Sequence, residues 1–377
     1  MLHIFFRYCK DVFVTLKVLF AYIFLQREKQ IYISCNELFV THAFGGGTKI
    51  YENNYLLTRR DVAILRNVRG IKTSFCLIEF NDEKKYIPVK KINDFFTKSN
   101  FMEITVNSLV PYTNFNQILN CVVDYRKKNE CYVRYMIHDF HSVCPNFTLI
   151  ANDKFCGMEC DKFNCKFCIS KHYLKNISIS LWREYWISFL TEIDEIRVFS
   201  NSSKEILQRT YAKLEDSIFN IIPHDMTYCK YKPYIVRTNE PRRIAFVGTC
   251  DTIAKGNKII NNFIEQNEKY EICLLGKIPL TKSLRDDPKV INLGAYKQSE
   301  LPMLMEKYNI STIIFPSICS ETFSYTISEQ ILLGVNILSF DIGAQGEKVR
   351  NYKKGFIVQE MSSQALINKL EEINGLL

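Results

Sequence analysis

Twice along this chain an apolar run of strand length gives way to a loop and then to a helical pattern, and that repeated alternation dictates a parallel sheet covered by helices. The first series opens with "IYISCNELFVTHAF", a buried strand that should end at Phe44, followed by Gly45, Gly46 and Gly47 and a helix from Thr48. "SFCLIEF", "MEITVNSLV" and "VRYMIHDF" read as further strands, and "NFNQILNCVVDYRKK" as a helix. "LWREYWISFLTEIDEIRVFSNSS" reads as a helix and then a strand ending near Ser200, with another helix from Ser203 to about Leu214. A stretch with no clear period, "HDMTYCKYKPYIVRTNEPRR", then interrupts the pattern.

Behind it the alternation restarts with "RIAFVG", "NKIINNFIEQ", "YEICLLG", "ELPMLMEKY", "TIIFPS", "SYTISEQILLG", "NILSFD" and "GFIVQ", and closes on a helix from Ser363. The expectation is an α/β chain of two Rossmann-like domains whose parallel sheets face each other across a cleft. Residues 36–225 form the first domain, 226–241 a linker and 242–377 the second. A length of 377 residues suits two cores. In such sheets ligands sit beyond the carboxyl ends of the strands.

Residues 1–35 stand apart. The apolar run from Val12 to Leu25, broken by Lys17, is too short to cross a bilayer as a helix. Flanked by Arg7, Lys10, Arg27 and Lys29, it reads either as an interfacial helix on anionic lipid or as a helix packed on the protein's own surface. The formal net charge of +9 favours an anionic partner, be it nucleotide, nucleic acid or membrane surface, without choosing among them. No secretory signal with a small-residue cleavage site is visible, so the reading is cytoplasmic, with the reducing compartment that suits fourteen cysteines.

The stretch "FPSICSETFSYTISEQILLGVNILSFDIGA" carries the most chemistry. "TIIFPS" ends a strand, and a helix begins between Phe323 and Tyr325. The N–H groups of that helix start form an anion site. Glu321 precedes the helix and Glu329 lies inside it, so both carboxylates can accept hydrogen bonds from sugar hydroxyls. In "RIAFVGTCDTIAKGNKII", Gly248 ends a strand and Lys255 stands where a lysine can counter a diphosphate, with Lys258 one turn on. In "MIHDFHSVCPNFTLI", His138, Asp139 and His141 sit at a strand end.

These stretches resemble the GT-B glycosyltransferases of the family 4 type, and within them a branch of bacterial surface-polysaccharide (O-antigen and capsule) transferases in which "ETFSYT" is usual. The resemblance covers most of Asn36 to Leu377 and is strongest at 130–170 and 243–350. It implies a nucleotide-sugar donor (a UDP-, GDP- or dTDP-sugar), a saccharide or lipid-linked acceptor, retention of anomeric configuration, domain closure over the donor and no metal at the reaction centre. It assigns donor binding to Gly45, Gly46, Gly47, Gly248, Lys255, Phe323, Ser324, Tyr325, Thr326 and Glu329, and catalytic roles to Glu321, His138 and Asp139. Where the commoner pattern has glycines after the first glutamate, this chain has Thr322 and Ser324.

Cys156, Cys160, Cys165 and Cys168 lie within "FCGMECDKFNCKFC", close enough for four thiolates to hold a structural zinc, with an iron–sulfur cluster as the other metal reading. That cluster and the positive charge also fit a second class, a zinc-stabilised basic protein that binds nucleic acid. Against it, the basic residues are spread rather than gathered into a stripe, and no recognition motif appears. A sugar-nucleotide epimerase or phosphorylase of the same fold is the third reading.

Overall fold

The computed structural model describes residues 13–14, 16–20, 22, 31–43, 45–68, 75–110, 112–157, 165–166, 168–169, 177–237 and 242–376. The chain divides into two compact units. The first holds Met1–Phe147, Cys160–Val198 and Leu207–Ile222; the second holds Thr148–Glu159, Phe199–Ile206 and Pro223–Leu377.

The first unit begins with β1 (Ser34–Thr41), α1 (Gly47–Leu57) and β2 (Val62–Asn67). β3 (Phe75–Phe80), β4 (Glu83–Pro88), α2 (Ile92–Lys98), β5 (Asn100–Val106), α3 (Phe115–Lys128) and β6 (Tyr132–Met136) follow. α4 (Ile179–Leu190), β9 (Glu195–Val198) and β10 (Phe219–Ile221) complete it, whereas a small hairpin, β7 (Ile150–Ala151) and β8 (Lys154–Phe155), and the first part of α5 (Asn201–Thr210) belong to the second unit although they fall between these elements in the chain. The sheet has eight strands in the order β10-β9-β6-β5-β1-β2-β3-β4. All neighbours are parallel except β2–β3 and β3–β4, which add an antiparallel hairpin at one edge. β1 ends at Thr41 rather than at Phe44, which lies outside the described residues.

Strands buried on both faces explain the continuous apolar runs read from the sequence. Leu38, Phe39, Val40, Ile104, Val106 and Val133 are fully buried. α4 lays Trp182, Trp186 and Phe189 on one face, the i, i+4, i+7 stripe of an amphipathic helix. Its N-cap Ser178 accepts from the Leu181 N–H. Polar groups share the sheet: Arg134 of β6 joins Glu195 of β9, Glu103 of β5 and the Tyr55 hydroxyl of α1 in one buried network. Among the described residues no helix is long and apolar enough to cross a membrane.

The second unit runs β11 (Arg243–Val247), α6 (Asn257–Gln266), β12 (Ile272–Leu275), β13 (Val290–Gly294), α7 (Leu301–Lys307) and β14 (Ile310–Phe315). It closes with α8 (Tyr325–Leu333), β15 (Asn336–Phe340), α9 (Gly343–Arg350), β16 (Gly355–Val358) and α10 (Ser363–Leu376). Its six strands are all parallel and ordered β13-β12-β11-β14-β15-β16. This is the doubly wound order, which reverses direction between β11 and β14. Alternate strand residues enter opposite cores. Ile244, Phe246, Ile314 and Leu338 pack with Phe263 and Leu370 on one face. Ala245, Val247, Ile313 and Ile337 pack with Met305 and Ile327 on the other.

Candidate functional site

In a doubly wound sheet the crevice outside the carboxyl ends of the strands, where the order reverses, is where ligands bind. In the second unit that point lies beyond Val247 of β11 and Phe315 of β14. Backbone packing builds it. Gly248 has φ 106, and a Cβ there would stand 3.4 Å from Thr326 Oγ1, so the end of β11 meets the first turn of α8. Gly256, the N-cap of α6, has φ 81, and a Cβ would stand 2.2 Å from the Pro316 carbonyl oxygen. Only glycine permits that approach. The Ala254 carbonyl accepts the Ile318 and Cys319 N–H groups and the Ser317 hydroxyl, tying the turn that bears Lys255 to the loop that leaves β14.

On that tied loop Lys255 Nζ meets Glu321 Oε1 at 2.5 Å. Desolvation pushes the Lys255 amine down, but the Glu321 carboxylate more than offsets it, and the net shift is upward. The Glu321 backbone is clamped from α9. Fully buried Gln345 accepts the Glu321 N–H at 3.0 Å and donates to the Cys319 carbonyl at 2.7 Å. The Ala344 N–H donates to the Glu321 carbonyl. Gly343 has φ 59, and a Cβ there would stand 2.6 Å from the Glu321 nitrogen.

α8 starts at Tyr325, and no side chain caps it. Its N-cap Ser324 has φ 62 and ψ 87, a left-handed conformation that costs a serine about 1 kcal/mol. Glycine would adopt this backbone without that cost. Phe323 is buried with His224 stacked on its ring at 4.3 Å and 28°. Lys348 Nζ lies 3.2 Å from the centroid of the same ring. Just over one turn into the helix, Glu329 is 8% exposed and accepts from Gln298 Nε2 at 2.5 Å. Burial pushes its carboxyl up to about 7 against the opposing hydrogen bond from Gln298. Glu321, Ser324, Tyr325, Thr326, Lys255 and Gly248 therefore belong to one corner of the unit. Lys258 does not: its amine pairs with Asp153 at 3.1 Å.

The first unit has a reversal of its own, between β1 and β5. Asn107, just past β5, donates to Thr41 Oγ1 at 3.0 Å. Ser108 Oγ donates to Asp139 Oδ2 at 2.9 Å, and the His141 N–H donates to Asp139 Oδ1 at 2.9 Å. Burial pushes the Asp139 carboxyl up to about 6 despite these donors. The His138 ring lies 4.7 Å from the Tyr51 ring, and burial, with a smaller contribution from His42, pushes its imidazole down to about 3. His138 is therefore neutral at pH 7 and presents an imidazole, not a cation.

His141 parts company with these neighbours. It is fully buried edge-on to Trp182 at 4.7 Å, so it belongs to the core. His42 is also buried, and burial pushes it down to about 4. Gly46, with φ 85, is the N-cap of α1, and its carbonyl accepts the Lys49 and Ile50 N–H groups. A Cβ on Gly45 or Gly46 would meet nothing within 4 Å, so this loop borders open space. In the cysteine stretch Cys160 lies outside the described residues. Cys156 is exposed, Cys165 and Cys168 are partly buried, and among the described residues no group of metal-ligating side chains assembles.

Gln345 and Lys348 escape sequence reasoning because an amide or an ammonium on a short helix announces no partner. The one available signal was position: both follow "DIGA" in the stretch that carries the resemblance.

No family model matches the chain, and no curated protein matches it by sequence. Solved structures do match. A sucrose-phosphate synthase from Thermosynechococcus elongatus superposes with a TM-score of 0.59 at 15% identity, over 92% of this chain and 90% of that one. Anabaena HepE in complex with UDP gives 0.57 at 12% identity, over 90% of each chain. A glycosyltransferase from Rickettsia africae gives 0.54 at 17% identity, over 92% of this chain and 89% of that one. At such identities the likeness carries the fold. The fold class is α/β with two parallel-sheet domains, the GT-B architecture.

Proposed function

We propose that the protein is a glycosyltransferase that moves a sugar from a nucleotide-sugar donor to a hydroxyl of a saccharide acceptor. The observation that carries this reading is the corner where the Lys255–Glu321 ion pair, the uncapped N-terminus of α8 and the buried Glu329 meet at the reversal of the second sheet. An uncapped helix tip and a lysine are the chemistry of a diphosphate site. Acidic side chains beside it are the chemistry of hydroxyl recognition.

In this reading the N–H groups of Tyr325 and Thr326 and the Lys255 ammonium hold the diphosphate, approached closely at Gly248. Glu321 exchanges its lysine partner for hydroxyls of the transferred sugar, and Glu329 accepts from the ribose. The bond from the anomeric carbon to the diphosphate oxygen breaks and one to the acceptor oxygen forms. The acceptor proton leaves with the diphosphate, and configuration is retained. Positive charge at the helix tip stabilises the departing phosphate, where negative charge develops. His138 and Asp139, with the loop of Gly45 to Gly47, are the substrate-binding residues of the first unit. No metal acts at the reaction centre, and the cysteine stretch, Cys160 included, holds a structural zinc.

Of the candidate donor nucleotides, UDP is favoured because HepE, a fold relative, was solved with UDP and with UDP-glucose. A lipid-linked acceptor in surface polysaccharide or glycoconjugate synthesis fits the amino-terminal segment. There Phe13, Leu16 and Phe20 are 69%, 61% and 59% exposed while Val18, on the opposite side of the helical wheel, is 2% exposed. Such an outward apolar face beside Lys17 suits an anionic membrane surface.

A screen of UDP-, GDP- and dTDP-sugars for release of nucleoside diphosphate tests the reading. At least one donor is expected to be hydrolysed, with the rate lost in Glu321→Ala. Absence of turnover and of nucleotide binding across the panel, with tight and salt-steep binding of nucleic acid instead, would replace it with the second class.

A further inference from the structure

Lys348 has no part in the roles above, yet its ammonium lies in the first turn of α8. It donates to Ser328 Oγ at 2.5 Å and reaches the Ser324 carbonyl at 3.4 Å. The face of Phe323 fixes it from one side, and His224 backs that ring from the other. α8 carries no acidic residue in its first turn to neutralise this charge. Two hydroxyls of the segment that leads into α8 await partners. Ser320 and Ser324, which bracket the Glu321 loop, are 6% and 7% exposed, and among the described residues neither Oγ has a hydrogen-bond partner. A buried hydroxyl left unmade is costly, and a serine at an N-cap ordinarily satisfies a helix N–H. Here Ser324 caps nothing. Uncapped N–H groups, two unpartnered buried hydroxyls and a fixed ammonium together describe a place for ligand oxygens.

We propose that Lys348 is a second phosphate-binding cation of this corner, acting with Lys255 on the diphosphate of an incoming nucleotide. The inference rests on the donor-site reading and deepens it. Its electrostatic consequence is specific. Desolvation pushes the Lys348 amine down to about 7, although Glu321 and Glu347 both oppose the shift. The other titratable groups nearby are Lys255, already paired to Glu321, and His224 and Tyr325 against Phe323. An amine with that value is only about one-tenth protonated at pH 8. A diphosphate within about 4 Å would favour the charged form and complete its protonation. Nucleotide binding at pH 8 should therefore take up about 0.9 proton.

The test is calorimetric titration of the full chain with UDP at pH 8 in Tris and in HEPES, whose different ionisation enthalpies report proton uptake. The wild type should take up close to one proton, and uridine none. Lys348→Met should weaken UDP binding about tenfold or more and abolish the uptake. Lys348→Arg should bind UDP within about threefold of the wild type yet take up no proton, because a guanidinium never titrates here. Glu329→Gln should keep the uptake, which separates Lys348 from the other group near 7. Wild-type uptake below about 0.2 proton, uptake lost in Glu329→Gln, or unchanged UDP affinity in Lys348→Met would overturn the inference and leave the donor-site reading standing. Failure of UDP, GDP and dTDP alike to bind would overturn both.

Discussion

Glu329→Gln should make the ligand-free protein more stable and the nucleotide complex weaker, and the size of the first effect follows from the burial of one carboxyl. Glu329 is 8% exposed, and its carboxyl rises from an ordinary 4.5 to about 7. A raised carboxyl resists ionisation in the folded state, so its cost is absent below pH 4.5, grows through the interval and is complete above pH 7. At pH 8 the cost is about 3 kcal/mol, and at pH 5 it is below about 1 kcal/mol. A glutamine carries no charge to desolvate, and its carbonyl oxygen still accepts from Gln298. The variant should therefore gain about 3 kcal/mol at pH 8 and little at pH 5. Urea unfolding can isolate the effect. The chain's two tryptophans, Trp182 and Trp186, both lie in the first unit, so their fluorescence reports that unit while far-ultraviolet dichroism reports both. The dichroism transition should move and the fluorescence transition should not. Equal gains at the two pH values, or a loss at pH 8, would refute the reasoning.

Other substitutions probe the frame of the site. Gly256→Ala places a Cβ 2.2 Å from a backbone oxygen at φ 81, so thermal melts should show at least about 2 kcal/mol of destabilisation. Gln345→Ala strands the part-buried Glu321 N–H and the buried Cys319 carbonyl; it should cost about 2 kcal/mol in chemical denaturation and lower donor turnover. Asp139→Asn should erase any limb near pH 6 from the rate profile of the active enzyme, because Asp139 titrates at about 6. Elemental analysis of purified protein should find zinc near one equivalent, and less than half an equivalent would remove the cysteine proposal.

The alternation of strands and helices was legible because strands of a parallel sheet are buried on both faces and stand out as unbroken apolar runs. "RIAFV" and "ISTIIF" are of this kind. Among the segments that escaped, some are those where that rule fails, though the interior strand β2, "VAILRN", escaped as well. β4, "EKKYIP", is a charged edge strand whose only strong cue is its turn. There Asn81 and Asp82 both take positive φ, as a two-residue hairpin loop requires. β13, "VINLG", is likewise an edge strand and only half-buried. At the site, the helix tip, Lys255 and the glutamates were legible from their places after strands. The partner of Lys255 was not, because an ion pair spanning 66 positions leaves no local trace. Lys258 misled for the same reason: one helical turn from Lys255, it turns instead to Asp153 in the β7–β8 hairpin. His141 sits two residues past Asp139, yet its ring goes to the tryptophans because the chain leaves the strand in a tight turn there.

The central claim is that the corner beyond β11 and β14 is built to hold a nucleoside diphosphate, and a crystal structure of the chain with UDP tests it most directly. The diphosphate should lie within hydrogen-bonding distance, about 3 Å, of the Tyr325 and Thr326 N–H groups, with Lys255 released from Glu321 to meet it and the ribose on Glu329. UDP bound elsewhere, or bound with both carboxylates turned away from it, would contradict the account.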